Sequence, residues 1–244
     1  MSNPFFHFKQ FTVRHDKCAM KVGTDGVLLG AWADVGLSNP LIKQVLDVGA
    51  GTGLIALMIA QRNIQAVIDA IDIDKESCEQ AIENVEKSPF KERIQVIRQS
   101  FFDFSTEKKY DLIISNPPFF NNALKSPDKK RNTARHNGTL PLKQLINHAI
   151  PMLSINGRIA LILPIAFSEE LDFIIATNRL YIKRRTLVIS IEGSQPKRFL
   201  IEITTTPPPY QKQMCENLTD TLILETKDHL RTPQYKALTN DFYF

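Results

Sequence analysis

Four consecutive residues, Asn116-Pro117-Pro118-Phe119, have the types and order needed to activate a planar amine. The Asn116 side-chain oxygen and the Pro117 carbonyl are two acceptors that could hold the N–H groups of such an amine. They would favour a tetrahedral nitrogen and stabilise the positive charge that develops as it attacks. Consecutive prolines restrict the backbone and keep the carbonyl aimed, and Phe119 offers a face on which a base can stack. The segment therefore predicts a catalytic loop, with the exocyclic amine of adenine as a fitting nucleophile.

A second motif is a turn with alternating glycines, Gly49, Gly51 and Gly53, directly after a short apolar run. Glycines there permit a tight turn and the close approach of backbone to a ligand. Asp72 follows 23 residues after Gly49, at the end of the next predicted strand. An acid at that place accepts hydrogen bonds from the hydroxyls of an adenosine ribose. These residues predict a site for a cofactor that contains adenosine.

Two details distinguish the possible cofactors. The dinucleotide fingerprint places its third glycine one residue later, where this chain has Leu54. Asp47 precedes the turn, where an acid would repel a pyrophosphate but suit a cationic or amine-bearing ligand. S-Adenosylmethionine combines adenosine, a sulfonium cation and an amino group, so we predict it as the cofactor. No metal is predicted, because the three cysteines are odd in number and far apart, as is usual in a reducing cytoplasm.

A basic segment, residues 121–137, comes directly after the predicted catalytic loop. It holds five cations and the single acid Asp128, so its net charge of +4 equals that of the whole chain. The five cations are Lys125, Lys129, Lys130, Arg131 and Arg135. Clustered cations beside an active site are typical of phosphate contact. We therefore predict that this segment binds RNA.

The elements that must position these residues alternate between strands and helices. Strands are predicted at 45–48, 66–73, 94–98, 111–115 and 158–163, and helices at 54–62, 75–87 and 140–153. This alternation predicts a parallel sheet with right-handed crossovers and helices on both faces. In helix 75–87 the expected buried stripe is Cys78, Ile82 and Val85. Gly157 is expected just past the end of helix 140–153, where a left-handed residue is tolerated.

The C-terminal part has a different pattern. A helix is predicted at 168–178, and strands at 181–191, 199–205 and 222–224 without helices between them, which indicates an antiparallel edge. The fold class is therefore α/β and Rossmann-like, with a mostly parallel sheet in one domain of 244 residues. No apolar run approaches the roughly 20 residues that span a bilayer, and the N-terminus does not have the pattern of a secretion signal. We expect a cytoplasmic monomer.

Taken together, these motifs resemble the class I amino-methyltransferases that carry an Asn/Asp-Pro-Pro-aromatic loop. More closely, the chain is similar to the bacterial valine tRNA (adenine-37-N6)-methyltransferase family, from about Phe8 to Phe244. The most specific stretches are Phe8-Lys9-Gln10-Phe11, the block 18–32 (CAMKVGTDGVLLGAW) and the C-terminal residues 240–244. The resemblance implies N6-methylation of the adenine just 3′ of the anticodon, position 37, in a valine tRNA.

The resemblance also assigns a place to the N-terminal part. In that family the block 18–32 closes over the methionine end of the cofactor, where Lys21, Thr24 and Asp25 could supply charge and hydrogen bonds. Residues 1–40 would then pack over the cofactor site of the core 41–244, with Trp32 in or beside the core.

The chain departs from the family pattern in one respect. Where an acid usually binds the adenine amine of the cofactor, this sequence has Ser100. Either its hydroxyl or Asp103 would make that contact.

Three other functions use part of the same signals. A protein glutamine N5-methyltransferase would use the same loop, but a peptide substrate gives no reason for clustered cations beside it. A dinucleotide-binding protein conflicts with Leu54 and with the catalytic loop. A DNA adenine methyltransferase normally carries a separate target-recognition domain, for which the C-terminal stretch is short.

Overall fold

An eight-stranded sheet organises the chain in the computed structural model, which describes residues 3–18, 20–36, 42–118, 141–207 and 219–244. Its strands are β3 (Gln44–Val48), β4 (Val67–Asp72), β5 (Ile94–Arg98), β6 (Tyr110–Ser115), β7 (Leu153–Pro164), β8 (Tyr181–Ile191), β9 (Arg198–Thr204) and β10 (Thr219–Glu225). Two further strands, β1 (Phe5–His7) and β2 (Thr12–Arg14), precede them in the chain and form a separate pair. The helices are α1 (Thr24–Trp32), α2 (Leu54–Arg62), α3 (Lys75–Glu86), α4 (Leu142–Ala149), α5 (Ser168–Thr177) and α6 (Pro233–Thr239).

The strand order in this sheet is β10-β8-β9-β7-β6-β3-β4-β5. Strands β3 to β7 pair in parallel, and β9 runs antiparallel to both β7 and β8. The expected antiparallel edge is wrong for β10, which pairs in parallel with β8. β10 follows β9 in the chain and runs in the opposite direction, but it lies on the outer side of β8. Because β8 is also antiparallel to β9, β10 is parallel to β8.

Two apolar clusters lie on opposite faces of the sheet. One contains residues of α1, α2 and α6, and the other contains residues of α4 and α5. Helix α2 lies between the sheet and α1, so seven of its nine residues are buried. The predicted mostly parallel α/β fold with helices on both faces is therefore confirmed. In the described part of the chain, no helix is long and apolar enough to cross a membrane.

Two local predictions differ from the structure. The helix expected over 140–153 is α-helical over Leu142–Ala149 and continues as a 3₁₀ turn, Ile150–Met152. Gly157 lies inside β7, so its expected place just past a helix end is wrong. A Cβ at position 157 would lie only 2.7 Å from the Tyr110 carbonyl oxygen, so this glycine permits close contact between β6 and β7.

The buried stripe of α3 also differs from the expected one. Cys78 and Val85 are buried as predicted, but Ile82 is 48% exposed. The stripe instead passes through Ala81, whose small side chain contacts the glycine turn: a Cβ at Gly53 would lie 3.4 Å from it. The helix is thus rotated by close packing against the turn.

The N-terminal residues pack on this core. β1 and β2 form an antiparallel hairpin, and the buried Asn84 side chain on α3 donates hydrogen bonds to the Arg14 and Thr52 carbonyls. Trp32, at the end of α1, is buried as predicted. Its indole Nε1 donates to the Thr186 hydroxyl at 2.8 Å, which ties α1 to β8.

Candidate active site

The carboxyl ends of four neighbouring strands and the start of an antiparallel fifth strand supply the candidate site. Along this edge of the sheet lie, in order, Asp72 of β4, the glycine turn after β3, Asn116 after β6, Pro164 of β7, and Arg198 at the start of the antiparallel β9. Open α/β sheets bind ligands at this edge, where chain connections diverge.

A cavity of about 440 Å³ opens here. It is lined by seven residues predicted from the sequence as site residues: Lys21, Thr24, Asp25, Gly49, Gly51, Asn116 and Pro117. It is also lined by residues that were not predicted, among them Met20, Pro164, Lys197 and Arg198. The structure thus joins the N-terminal block, the glycine turn and the first two residues of the predicted catalytic loop in one cavity.

The glycine turn has a left-handed backbone that only glycine adopts easily. Gly51 has a φ of 55°, and a Cβ placed on it would meet no atom within 4 Å. Its N–H donates to the Asp72 carboxylate at 2.8 Å, which fixes the turn to the end of β4. The turn therefore exposes a rigid backbone surface beside an acid, as an adenosine ligand requires.

Asp47 and Asp72 give this side of the site its electrostatic character. Asp47 is fully buried, and burial, together with a smaller contribution from the nearby Asp72 carboxylate, raises its pKa to about 7. Burial likewise raises the pKa of Asp72. One Asp47 oxygen accepts from the Ala56 N–H at 3.1 Å, and the other has no hydrogen-bond partner among the described residues. A cation nearby would stabilise both carboxylates, so the acids fit a sulfonium or amine-bearing cofactor.

The end of β6 positions the first residues of the predicted catalytic loop. The buried Ser115 hydroxyl donates to the Val48 carbonyl at 2.7 Å, which ties β6 to the strand that precedes the glycine turn. Asn116 and Pro117 follow directly and line the cavity. Phe119 lies outside the described residues, as do all five predicted RNA-binding cations in 121–137.

Comparison with known proteins identifies the family. The family model for the methyltransferase small domain matches residues 35–164. A tRNA1(Val) (adenine(37)-N6)-methyltransferase of Parabacteroides distasonis is 49% identical over 100% of this chain and 99% of its own length. One of Bacteroides fragilis is 46% identical over 100% of this chain and 99% of its own length. The chain belongs to this methyltransferase family.

A solved structure agrees on the fold of this methyltransferase. A protein of Agrobacterium tumefaciens described as a predicted O-methyltransferase superposes with a TM-score of 0.63 at 16% identity. The match covers 89% of this chain and 96% of that one. At this identity the likeness concerns the fold alone, which both chains share although their sequences have diverged.

Several predicted residues of the methyltransferase do not line the cavity described above. Gly53 is the last glycine of the turn, Asp47 lies on β3 before the turn, and Asp72 ends β4. Ser100 precedes the short 3₁₀ turn after β5, and Asp103 is the last residue of that turn. The Gln99 N–H donates to the Asp72 carbonyl, so Ser100 stays near the β4 end. The choice between Ser100 and Asp103 for the cofactor adenine remains a prediction. Among the described residues, no group of three or more His, Cys, Asp or Glu could hold a metal.

Sequence reasoning missed an ion pair in this cavity. Asp25, predicted to face the cofactor, pairs with Arg198, which lies 173 residues away in the chain. Lys197 and Arg198 follow a predicted strand and a Gly-Ser-Gln-Pro turn, so their position in the sequence indicates only a hairpin tip. Their place in the same cavity as Asn116 depends on strand order, which no local pattern contains.

Proposed function

We propose that this methyltransferase transfers a methyl group from S-adenosylmethionine to N6 of adenine 37 in tRNA1(Val). The observation that carries the proposal is that Asn116 and Pro117 line the same cavity as Gly49 and Gly51. The relatives that match the whole chain carry the name of this reaction. The proposed cofactor turn and the proposed amine-holding loop would then lie in one site, as direct methyl transfer requires.

The residues around the glycine turn are proposed to hold the cofactor. Asp72 would accept hydrogen bonds from the ribose hydroxyls, and the turn would contact the ligand through its backbone. Asp47 would stabilise positive charge on the methionine side, near Lys21 and Thr24. When bound, S-adenosylmethionine supplies an electrophilic methyl group on sulfur.

Asn116 and Pro117 are proposed to orient the target amine. The Asn116 side-chain oxygen and the Pro117 carbonyl would accept the two N6–H groups, so that the nitrogen lone pair points toward the methyl group. Both acceptors would stabilise the positive charge that forms on nitrogen during transfer. A proton leaves N6 after the new C–N bond has formed, so no general base is needed before transfer. Phe119 is proposed to stack on the extruded base.

The remaining predictions belong to the same proposal. The cations of 121–137 would bind phosphates of the tRNA, with the chain acting as one domain and as a monomer in the cytoplasm, where its substrate is found. Size-exclusion chromatography with light scattering, with and without tRNA, checks the monomer.

Labelled cofactor tests the proposed reaction. The protein is incubated separately with tRNA1(Val) transcript, the same transcript with guanine at position 37, DNA and total protein. We expect label only in the first, recovered as N6-methyladenosine after digestion. Equal labelling of the guanine transcript would refute the assigned position, and label in protein glutamine would refute the substrate class.

A further inference from the structure

Two cations on the far side of the cavity have no role in the reaction described so far. Four charged side chains line the cavity: the cations Lys21, Lys197 and Arg198, and the acid Asp25. Lys197 and Arg198 come from the hairpin between β8 and β9, which meets the carboxyl end of β7: Arg198 pairs with Pro164.

Two hydrogen bonds hold the backbone of Lys197 in place. Its N–H donates to the Val188 carbonyl at 3.3 Å, and its carbonyl accepts from the Ile165 N–H at 3.0 Å. Its backbone is thus fixed between β8 and the end of β7, while the residue itself is exposed. Within the described ranges, no acid forms an ion pair with its amine.

Arg198 is oriented by Asp25 of α1. One guanidinium nitrogen bonds the Asp25 carboxylate, and the Arg198 side chain is 27% exposed. The described residues provide no other acceptor for it, so part of its planar group of donors is available. Arginine held in this way suits an oxyanion with paired oxygens, such as phosphate.

The order of strands separates the charges of the site. On one side of Asn116 lie the acids of β3 and β4, Asp47 and Asp72, which suit a cationic cofactor. On the other side, two strands away, lies the start of β9, roughly 10 Å from β6 by the usual strand spacing. Cations there lie four strands from the ribose acceptor Asp72, although Asp25 links Arg198 to the block predicted to hold the methionine end of the cofactor. They are well placed for the sugar–phosphate of a base extruded toward Asn116.

We propose that Lys197 and Arg198 form a phosphate contact for the RNA strand beside the target adenine. This deepens the proposed function and depends on it. The two side chains would position the nucleotide, while Asn116 and Pro117 would act on its amine. The contact is separate from the segment 121–137, which lies outside the described residues.

A charge reversal at Lys197 tests the contact, with Lys91→Glu as the matched control. Lys91 is exposed and precedes β5, at the opposite edge of the sheet. For Lys197→Glu we expect the KM for tRNA1(Val) transcript to rise about tenfold or more, the size of one lost charge-assisted hydrogen bond. The Kd for S-adenosylmethionine should stay within twofold in both variants, and Lys91→Glu should keep the wild-type KM.

Arg198 needs a separate control because it also holds Asp25. Arg198→Gln removes the phosphate donor and the ion pair. Asp25→Asn removes the ion pair and the cofactor contact predicted for Asp25, so the two variants are compared by the KM for tRNA at saturating S-adenosylmethionine. We expect Arg198→Gln to raise the KM for tRNA well beyond Asp25→Asn. Equal effects would mean that Arg198 serves only to hold α1, which would overturn its part of the proposal.

Neutral phosphates identify the partner atom. Anticodon stem-loops carrying one methylphosphonate, at each linkage flanking adenine 37 in turn, are methylated by wild type and Lys197→Ala. At one linkage the methylphosphonate should lower the activity of the wild type. It should not lower the activity of Lys197→Ala any further.

If Lys197→Glu keeps wild-type activity and an unchanged KM for tRNA, the phosphate contact is refuted and the proposed function is unaffected. A change in cofactor Kd instead of tRNA KM would also refute the phosphate contact, by assigning the cations to the cofactor carboxylate. A wild-type protein unable to methylate the tRNA would overturn the proposed function, and the inference with it.

Discussion

Replacing Asp47 with asparagine should stabilise the cofactor-free protein, and the gain should grow with pH. Asp47 is fully buried, and its pKa is raised from 3.8 to about 7, mainly by burial. A raised pKa in an acid means that the folded state binds its proton more tightly than the unfolded state. The wild type therefore loses stability as pH rises from about 3.8 to about 7, and the loss stays constant above that. Asparagine keeps an oxygen for the Ala56 N–H but cannot ionise.

The size of the effect follows from these two pKa values. Linkage gives the ionisable Asp47 a destabilising contribution of about 1.7 kcal/mol at pH 5 and about 4.3 kcal/mol at pH 8. The variant does not carry this contribution. Its advantage over wild type should therefore increase by about 2.6 kcal/mol between the two pH values, against a total stability of about 5–15 kcal/mol for a typical protein.

Urea denaturation of both proteins at pH 5, 6, 7 and 8, without cofactor, measures this difference. The control is Asp103→Asn, the same chemical change at an exposed residue, which should leave stability nearly unchanged. With saturating S-adenosylmethionine the wild type should become more stable than Asp47→Asn. The cationic ligand interacts favourably with the Asp47 carboxylate and more weakly with the neutral amide of the variant. Parallel pH profiles for wild type and Asp47→Asn would refute the reasoning.

Three further predictions concern the cofactor, the reaction and the RNA. Asp72→Ala should weaken cofactor binding by about 1.5–3 kcal/mol, since it removes a charged acceptor for the ribose; unchanged affinity in calorimetry would contradict this. Asn116→Ala should lower the rate of methyl transfer roughly 10²–10³-fold with little effect on cofactor affinity; single-turnover rates equal to wild type would exclude the mechanism. Neutralising Lys129, Lys130 and Arg131 together should reduce the slope of log affinity for tRNA against log salt by roughly 0.7–0.9 per lost phosphate contact. Parallel lines for variant and wild type would mean that the segment does not bind RNA.

Local patterns predicted most of the elements because each depends on near neighbours in the chain. Helix α2 has the predicted bounds, 54–62, since its apolar residues follow directly from the glycine turn. β5 and β8 also have the predicted bounds. The prediction for Gly157 was wrong because its role is set by the Tyr110 carbonyl on a neighbouring strand. A helix-ending glycine and a glycine at a close strand contact look the same in sequence.

The sequence by itself determined the chemistry available at the site. The alternation of glycines, the acid at position 72 and the Asn-Pro-Pro order specify a turn, an acceptor and a carbonyl pair whatever surrounds them. Only the tertiary structure decided which charges flank that chemistry. The Asp25–Arg198 pair joins residues 173 apart, and Lys197 reaches the cavity because β9 lies next to β7. Strand neighbours are chosen by the packing of the whole sheet, so the basic side of the site appears only when the chain is folded.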